Sequence, residues 1–458
     1  MPELLPSSLL DDQDASWTPP LVLFLIAAAL HAALGLVIRH TPIMGALQAW
    51  LALIIGIFVA WKGNLRSITC ICAYLAGSEL MWRMSKVPIF WEFGKGAIII
   101  ILLSVILRKS LFMRGGVAPL YFLLLIPSAL LTMANVQLEW ARQEISGNMA
   151  GPLLLMIAVW VYRNARWNSR DLTLIGLFII VPLITASVVG VNNIATTEIK
   201  FGTQSNFGAS GGFGPNQVST GLSLGAFTCF LLLCLSPGNA NPVFMAVMAA
   251  GMIGFTAHSA ITFSRGGLYS LAAGLFGAFW FLLATPRARL RLVLGMVAFV
   301  VIGGFYVLPR MDRFTQGQLM YRITDTEPTG RFLLMKSEWD MFTRFPLLGV
   351  GPGKTILLVQ GYEVAKVAGH TEYTRLLAEH GIFGLGALLL MGVMALQNFF
   401  RQRNAPGRAI CVGLMLWSAM TMMHAATRLA MTCFIFGLAS ALFVADKPDA
   451  PPPEKKKT

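Results

Sequence analysis

An all-α polytopic membrane protein is the fold class this sequence predicts, on three observations. Hydrophobic residues make up 56% of the 458, charged residues only 12%, and mean hydropathy is +0.68; a soluble domain carries about twice that charge fraction. Apolar runs of about 18 residues recur along the chain, each long enough to cross a bilayer as a helix. The short alternating segments of a membrane β-barrel do not occur, and a helix satisfies its own backbone in lipid.

In chain order, the runs place spans at about 20–38, 43–61, 65–82, 93–108, 117–134, 148–163, 171–190, 215–236, 242–263, 266–285, 290–308, 381–400, 407–424 and 427–445. That is about fourteen, within a range of twelve to fourteen; the third and fourth are interrupted by Glu79, Arg83 and Lys95. The expected organisation is a cytoplasmic N-terminal segment over 1–19, eleven spans over 20–308, and a long polar loop with surface helices over 309–380. Three spans over 381–445 and a disordered cytoplasmic tail over 446–458 complete it. The N-terminus lacks a basic start before its apolar stretch, which argues against a removed signal peptide.

Basic residues test the count, because they concentrate on the cytoplasmic side. With the N-terminus inside, eighteen of the thirty-five fall in inside loops and the tail, among them Arg163, Arg166, Arg170, Arg401, Arg403 and Arg408. Eight fall in the short outside loops (Arg39, Arg83, Lys86, Lys95, Arg142, Lys200, Arg265 and Arg428), and nine in the long loop and the helix it leads into. Both termini are therefore expected inside and the long loop outside. The net charge of +14 follows this partition and does not indicate nucleic acid. The six cysteines lie in or beside apolar runs and read as small buried hydrophobes.

Polar residues gather in three outer segments: 83–96, 192–216 and the long loop, which holds Arg322, Arg331, Glu338, Arg344, Lys354 and His370. Arg265, in TFSRGGLYS, sits at the outer end of a span with two glycines behind it. An arginine at that depth is costly unless it is paired or faces water; the alternative is snorkelling to lipid phosphates. His370 precedes TEYTRLLAEHG, where an imidazole at the water boundary suits a general base and a polar cap is the plainer reading. His380 and His424 read as interfacial, and His258 as a core hydrogen-bonder. Arg331 opens an amphipathic run, FLLMKSEWDMF, expected as a surface helix. PLLGVGPGK lacks the spacing of a phosphate-binding P-loop. Glu79, Arg83, Glu92 and Lys95, with Trp82 and Trp91, either pair at the interface or make a sugar-binding surface.

Three motifs carry a resemblance: SRGG at Ser264–Gly267, TGR…FPLLGVGPG from Thr329 to Gly353, and H-x-E-Y-x-x-L-x-x-x-x-G from His370 to Gly381; FGPNQVS at Phe213–Ser219 adds to them. In their order around one long loop, the chain resembles the O-antigen ligase and O-antigen polymerase superfamily, including its exopolysaccharide polymerases. The resemblance implies a GT-C-like helical membrane glycosyltransferase in the bacterial inner membrane, its active site facing the periplasm. It implies inverting, metal-independent transfer without a cofactor, from a glycan on undecaprenyl diphosphate to a sugar hydroxyl. The acceptor is another lipid-linked repeat unit for a polymerase and lipid A–core for a ligase; a flippase and a chain-length regulator are candidate partners. His370 then takes the proton of the attacking hydroxyl, and Arg265, Arg331 and Lys200 hold the donor diphosphate. Arg83, Trp91, Glu92, Lys95, Arg322 and Tyr373 are candidates for glycan or acceptor binding. One departure bears on the choice. Ligases are expected to carry a further arginine near the seventh and eighth spans, yet 192–216 holds only Lys200 as a cation, which leans toward a polymerase. A solute transporter stays the reading from another class; it predicts charges at the bilayer midplane and repeated halves, where this chain keeps its charges at span ends.

Overall fold

The computed structural model describes residues 21–109, 111, 114–236, 240–325, 331–359 and 371–444. The N-terminal segment, the tail and His370 lie outside the described residues, as does the side chain of Arg331. The elements run α1 (Leu21–His40), α2 (Pro42–Lys62), α3 (Leu65–Met84), α4 (Phe93–Arg108), α5 (Ala118–Leu123), α6 (Ile126–Asn135), α7 (Leu138–Tyr162), β1 (Arg166–Trp167), α8 (Ser169–Thr196), α9 (Pro215–Leu235), α10 (Pro242–Ile261) and α11 (Arg265–Leu283). Then come α12 (Pro286–Ala298), a π-helical stretch (Phe299–Val307), α13 (Leu308–Phe314), α14 (Gln318–Thr324), α15 (Arg331–Arg344), α16 (Thr355–Val359), α17 (Glu372–Arg401), α18 (Ala405–Met422), α19 (Ala430–Leu438) and β2 (Leu442–Phe443). The chain is an all-α polytopic membrane protein: among the described residues, ten helical stretches are long and apolar enough to cross a bilayer.

Local signals start many of these helices. Proline, which lacks the N–H a first turn leaves unused, opens α2, α9, α10, α12 and α18. Asn168 and Asp171 cap each other's backbone at the start of α8, and Thr371 caps α17. Helix α9 is the axis of the bundle, with 89% of its apolar window buried against 17% for α1. Helices α8, α10 and α11 pack on α9, α18 packs on α11, and α19 on α7.

Four segments expected as spans, now α3, α4, α18 and α19, are not among those ten. Helices α4 and α19, at 16 and 9 residues, are short for a span, and α3 and α18 are less apolar; α3, α18 and α19 are buried along most of their length, shielded by other helices. A shielded helix can carry polar groups that lipid would not tolerate. The expected span 117–134 is broken into α5 and α6, and 290–308 extends through the π-helical stretch to Phe314. The last expected span differs most. Residues 423–429 are unwound, α19 has nine residues, and β2 then pairs in parallel with β1.

The loops collect at two ends. At one, Arg66 pairs with Asp171, Arg108 donates to the Trp61 and Gly63 carbonyls, and Arg401 donates to the Arg163 carbonyl. At the other lie the start of α17, the start of α11, the 83–96 segment and the 192–216 segment, which carry the candidate site.

Candidate functional site

The site begins with backbone. Ser264, just before α11, donates to the Asn216 side chain (2.6 Å), and Ser219 donates to the Ser264 carbonyl (3.0 Å). The SRGG and FGPNQVS motifs are thus one junction between α9 and α11. Its glycines allow close approach: a Cβ on Gly267 would meet the Ser219 backbone, and one on Gly266 the His424 imidazole.

The PLLGVGPG segment is a strap across a helix break. Helix α17 is interrupted at Gly381, which adopts φ +58°, a conformation only glycine takes freely. The interruption frees backbone groups that must find partners away from water. Val350 N–H donates to the Ala378 carbonyl (2.9 Å), Gly351 N–H to Glu379 (3.0 Å), and Ile382 N–H to Pro346 (2.8 Å). Gly353 N–H donates to Glu379 Oε1 (2.8 Å). Side chains on Gly349 or Gly381 would collide with this backbone.

A buried charged layer lies along the start of α17. Arg375 pairs with Glu372 (2.6 Å) and with Glu379, and donates to Asn148 (3.3 Å). Thr427 N–H and hydroxyl donate to Glu372, Ala430 N–H donates to Glu79 (2.6 Å), and Arg83 donates to the Arg428 carbonyl (3.2 Å). Charged side chains therefore hold the unwound segment 423–429, which carries buried His424 and half-buried Arg428. Irregular backbone inside a membrane bundle occurs where protein buries it or where it lines a cavity. Glu338, fully buried on α15, accepts from Thr374 through Oε2, while its Oε1 has no hydrogen-bond partner among the described residues. Burial pushes the Glu338 carboxyl up to about 7; the Thr374 hydrogen bond and Arg375 oppose it, and Glu379 and Glu372 reinforce it.

A second group lies at the start of α11. Arg265 donates to the Asp325 carbonyl and approaches the Asp325 carboxylate (3.9 Å), which also pairs with buried Arg322 (3.0 Å). Arg322 also donates to the carbonyl of Phe263 (3.2 Å), a residue at φ +58°, a strained backbone for a bulky side chain. Burial, then the like charge of Arg265, pulls the Arg322 guanidinium below its ordinary pKa, against Asp325.

The remaining expected residues fall as follows. Lys95 pairs with Glu92 (2.6 Å), Arg83 pairs with Glu79 and lies over the Trp91 ring (4.3 Å), and Tyr373 donates to the Ala419 carbonyl (2.9 Å). Of these, Trp91 is largely exposed, and Lys200 is exposed in its loop. Helix α17 begins at Glu372 after its Thr371 cap, and His370 lies outside the described residues. His380 and His424 are buried, not interfacial: His380 faces the Ser128 hydroxyl and His424 bonds to Ser270 (2.9 Å). His258 bonds to Ser187 (2.7 Å).

Sequence reading assigned no role to Arg39, Arg375, Arg428 or Glu338. Arg39 is the most informative. From the end of α1 it donates to the Asn193 side chain and the Gly211 carbonyl (3.4 Å), putting an arginine inside the 192–216 segment that has none of its own. The signal was out of reach because Arg39 lies more than 150 residues away in the chain.

Fold and site define a class: a polytopic helical membrane protein whose polar chemistry is gathered at one end, around interrupted helices. Residues 250–389 match the family model described as O-Antigen ligase, a stretch that holds Arg265, Arg322, Glu338, the strap and the start of α17. The match supports the O-antigen ligase/polymerase superfamily for this chain and, the family being glycosyltransferase-like, an enzyme role. The comparisons with curated proteins and with solved structures give no match.

Proposed function

We propose that the protein is a polysaccharide polymerase of O-antigen, exopolysaccharide or capsule type, working at the periplasmic face of a bacterial inner membrane. It transfers a glycan from undecaprenyl diphosphate to a sugar hydroxyl of another lipid-linked repeat unit. The acceptor oxygen attacks the anomeric carbon, the bond to the diphosphate breaks with inversion, and undecaprenyl diphosphate leaves. A diphosphate is a good leaving group, so the protein's main task is to neutralise its charge, for which the arginine fork is well suited. Arg265, Arg331 and Lys200 are assigned to the diphosphate and His370 to the hydroxyl proton. Exposed Trp91, beside Arg83, is assigned to the glycan. No metal enters this scheme.

The observation that carries the reading is the meeting of the family's separate motifs at one end of the bundle. SRGG is bonded to FGPNQVS, the glycine strap to the start of α17, and both regions border the segment bearing His424 and Arg428. A transporter would keep its ionisable residues near mid-span.

One observation favours a second reading. The lean toward a polymerase rests on the missing arginine in 192–216, and Arg39 occupies that segment in space. This supports an O-antigen ligase that moves finished polymer to lipid A–core. Lipid-linked glycans from a strain lacking the gene separate the two. Single repeat units accumulating on the carrier, without polymer, support the polymerase; full-length polymer left on the carrier supports the ligase. Complementation with Arg265→Ala or His370→Ala is expected to reproduce the deletion. Full rescue by both variants at normal expression contradicts the assigned site.

A further inference from the structure

At the end of the bundle away from the candidate site, an open groove of about 460 Å³ lies between the last turns of α17, from Val393 to Arg401, and the residue that follows α7. Its walls are Val393, Leu396 and Phe400, and its polar lining is Arg163, Gln397 and Arg401. The three apolar side chains are exposed on a helix long and apolar enough to span, so they face lipid. The two arginines are not loose surface groups. Arg401 donates to the carbonyls of Arg163 (2.6 Å) and Ser440 (3.2 Å), and Arg163 donates to the Gly115 carbonyl (3.4 Å). A side chain on Gly116 would occupy the space of the Arg163 guanidinium, so the 115–116 turn is built around it.

Neither arginine has a carboxylate within ion-pair distance among the described residues. Both guanidiniums are half-buried and lie together, with Arg166 nearby adding a third like charge. A guanidinium has five N–H donors, and the contacts above engage two on Arg401 and one on Arg163. Like charges held together with donors to spare favour an anion. The apolar wall running from them along α17 favours an anion that carries a hydrocarbon chain, and basic pockets between spans suit anionic lipid headgroups.

We propose that this groove binds an anionic glycerophospholipid, its phosphodiester against Arg163 and Arg401 and an acyl chain along Val393, Leu396 and Phe400. It is not the donor site. Asn148, which meets Arg375 in the charged layer, lies fifteen residues up α7 from Arg163, about 22 Å at the helical rise. The bound lipid would join the ends of α7 and α17, the two helices that hold the candidate site at their other ends.

The test is thermal unfolding of the purified, delipidated full-length protein in a neutral detergent, with phosphatidylglycerol, phosphatidylcholine or inorganic phosphate added. Binding to the folded state alone raises the unfolding temperature. Phosphatidylglycerol is expected to raise it by several degrees more than phosphatidylcholine, and inorganic phosphate to leave it unchanged. Gln397→Glu puts a carboxylate in the groove and leaves both arginine–carbonyl contacts in place; it is expected to abolish the phosphatidylglycerol response. An equal response to both lipids overturns headgroup recognition, and a response to phosphate alone makes this a soluble-anion site. A Gln397→Glu protein that still responds fully places any lipid elsewhere. None of these readings depends on glycan transfer.

Discussion

Glu338 is the residue at which the structure adds most to the sequence. It was visible as one acid in a polar loop; burial and an unsatisfied oxygen were not, because both depend on α15 lying against α17. Its pKa direction fixes how stability responds to pH. The folded state holds the Glu338 proton up to about 7, against 4.5 for the free side chain. Between those values the native protein binds more protons than the unfolded chain, so this residue's contribution falls as pH rises from 4.5 to 7 and is level above. Glu338→Gln removes that slope. Its unfolding temperature is expected to match wild type near pH 5 and to exceed it near pH 8, by a free energy of at most about 3 kcal/mol. A wild type that gains on the variant as pH rises contradicts the burial of an unpaired carboxyl. Arg375, unlike Glu338, is fully paired: two carboxylates and Asn148 surround it. Arg375→Gln leaves buried charge uncompensated and is expected to cost roughly 3–5 kcal/mol, read as a fall in folded yield and unfolding temperature. An Arg375→Gln protein as stable as wild type would show that the layer is not held by these pairs.

Among the elements, those with a strong local signal were the most legible. Long apolar runs became long helices, and FLLMKSEWDMF became α15. The expected spans 381–400, 407–424 and 427–445 start or stop close to the two breaks; what could not be read was which distant groups satisfy them. The break in α17 falls at Gly381, and the unwinding at 423–429 spans His424 and Arg428; the partners that satisfy their freed backbone are remote in the chain, the strap for one, Glu372 and Glu79 for the other. The use of PLLGVGPG as a strap depends on α17 and so was invisible in the sequence. Gly349→Ala tests this use. Gly349 sits at φ +67° with the backbone of residues 378–380 against it, so alanine is expected to destabilise by at least about 2 kcal/mol and to lower transfer activity with it. Gly295, on a span whose apolar window is only 6% buried and with open space around it, is the control, and alanine there is expected to be tolerated. Equal tolerance at both positions would remove the strap from the account.

On the scale of the whole molecule, the charge carried by helices lies on faces that other helices cover: Glu79 on α3 and Glu372, Arg375 and Glu379 on α17 are all buried. Helices α3, α4, α18 and α19 lie where spans were expected, although α4 and α19 are short for one and α3 and α18 less apolar. The arrangement lets α3, α17 and the 423–429 segment carry buried charge without exposing it to lipid, and it delivers that charge to one end beside Arg265, Arg322 and Arg39. In the proposed function, this end of the bundle transfers a glycan off a lipid diphosphate. The most direct measurement is release of undecaprenyl diphosphate from a lipid-linked glycan donor by the purified protein in liposomes, with a matching acceptor and a chelator present. Wild type is expected to release it together with a longer glycan, and Arg265→Ala to lose most of that release while keeping its unfolding temperature. No release by wild type, or full release by Arg265→Ala, would contradict the account.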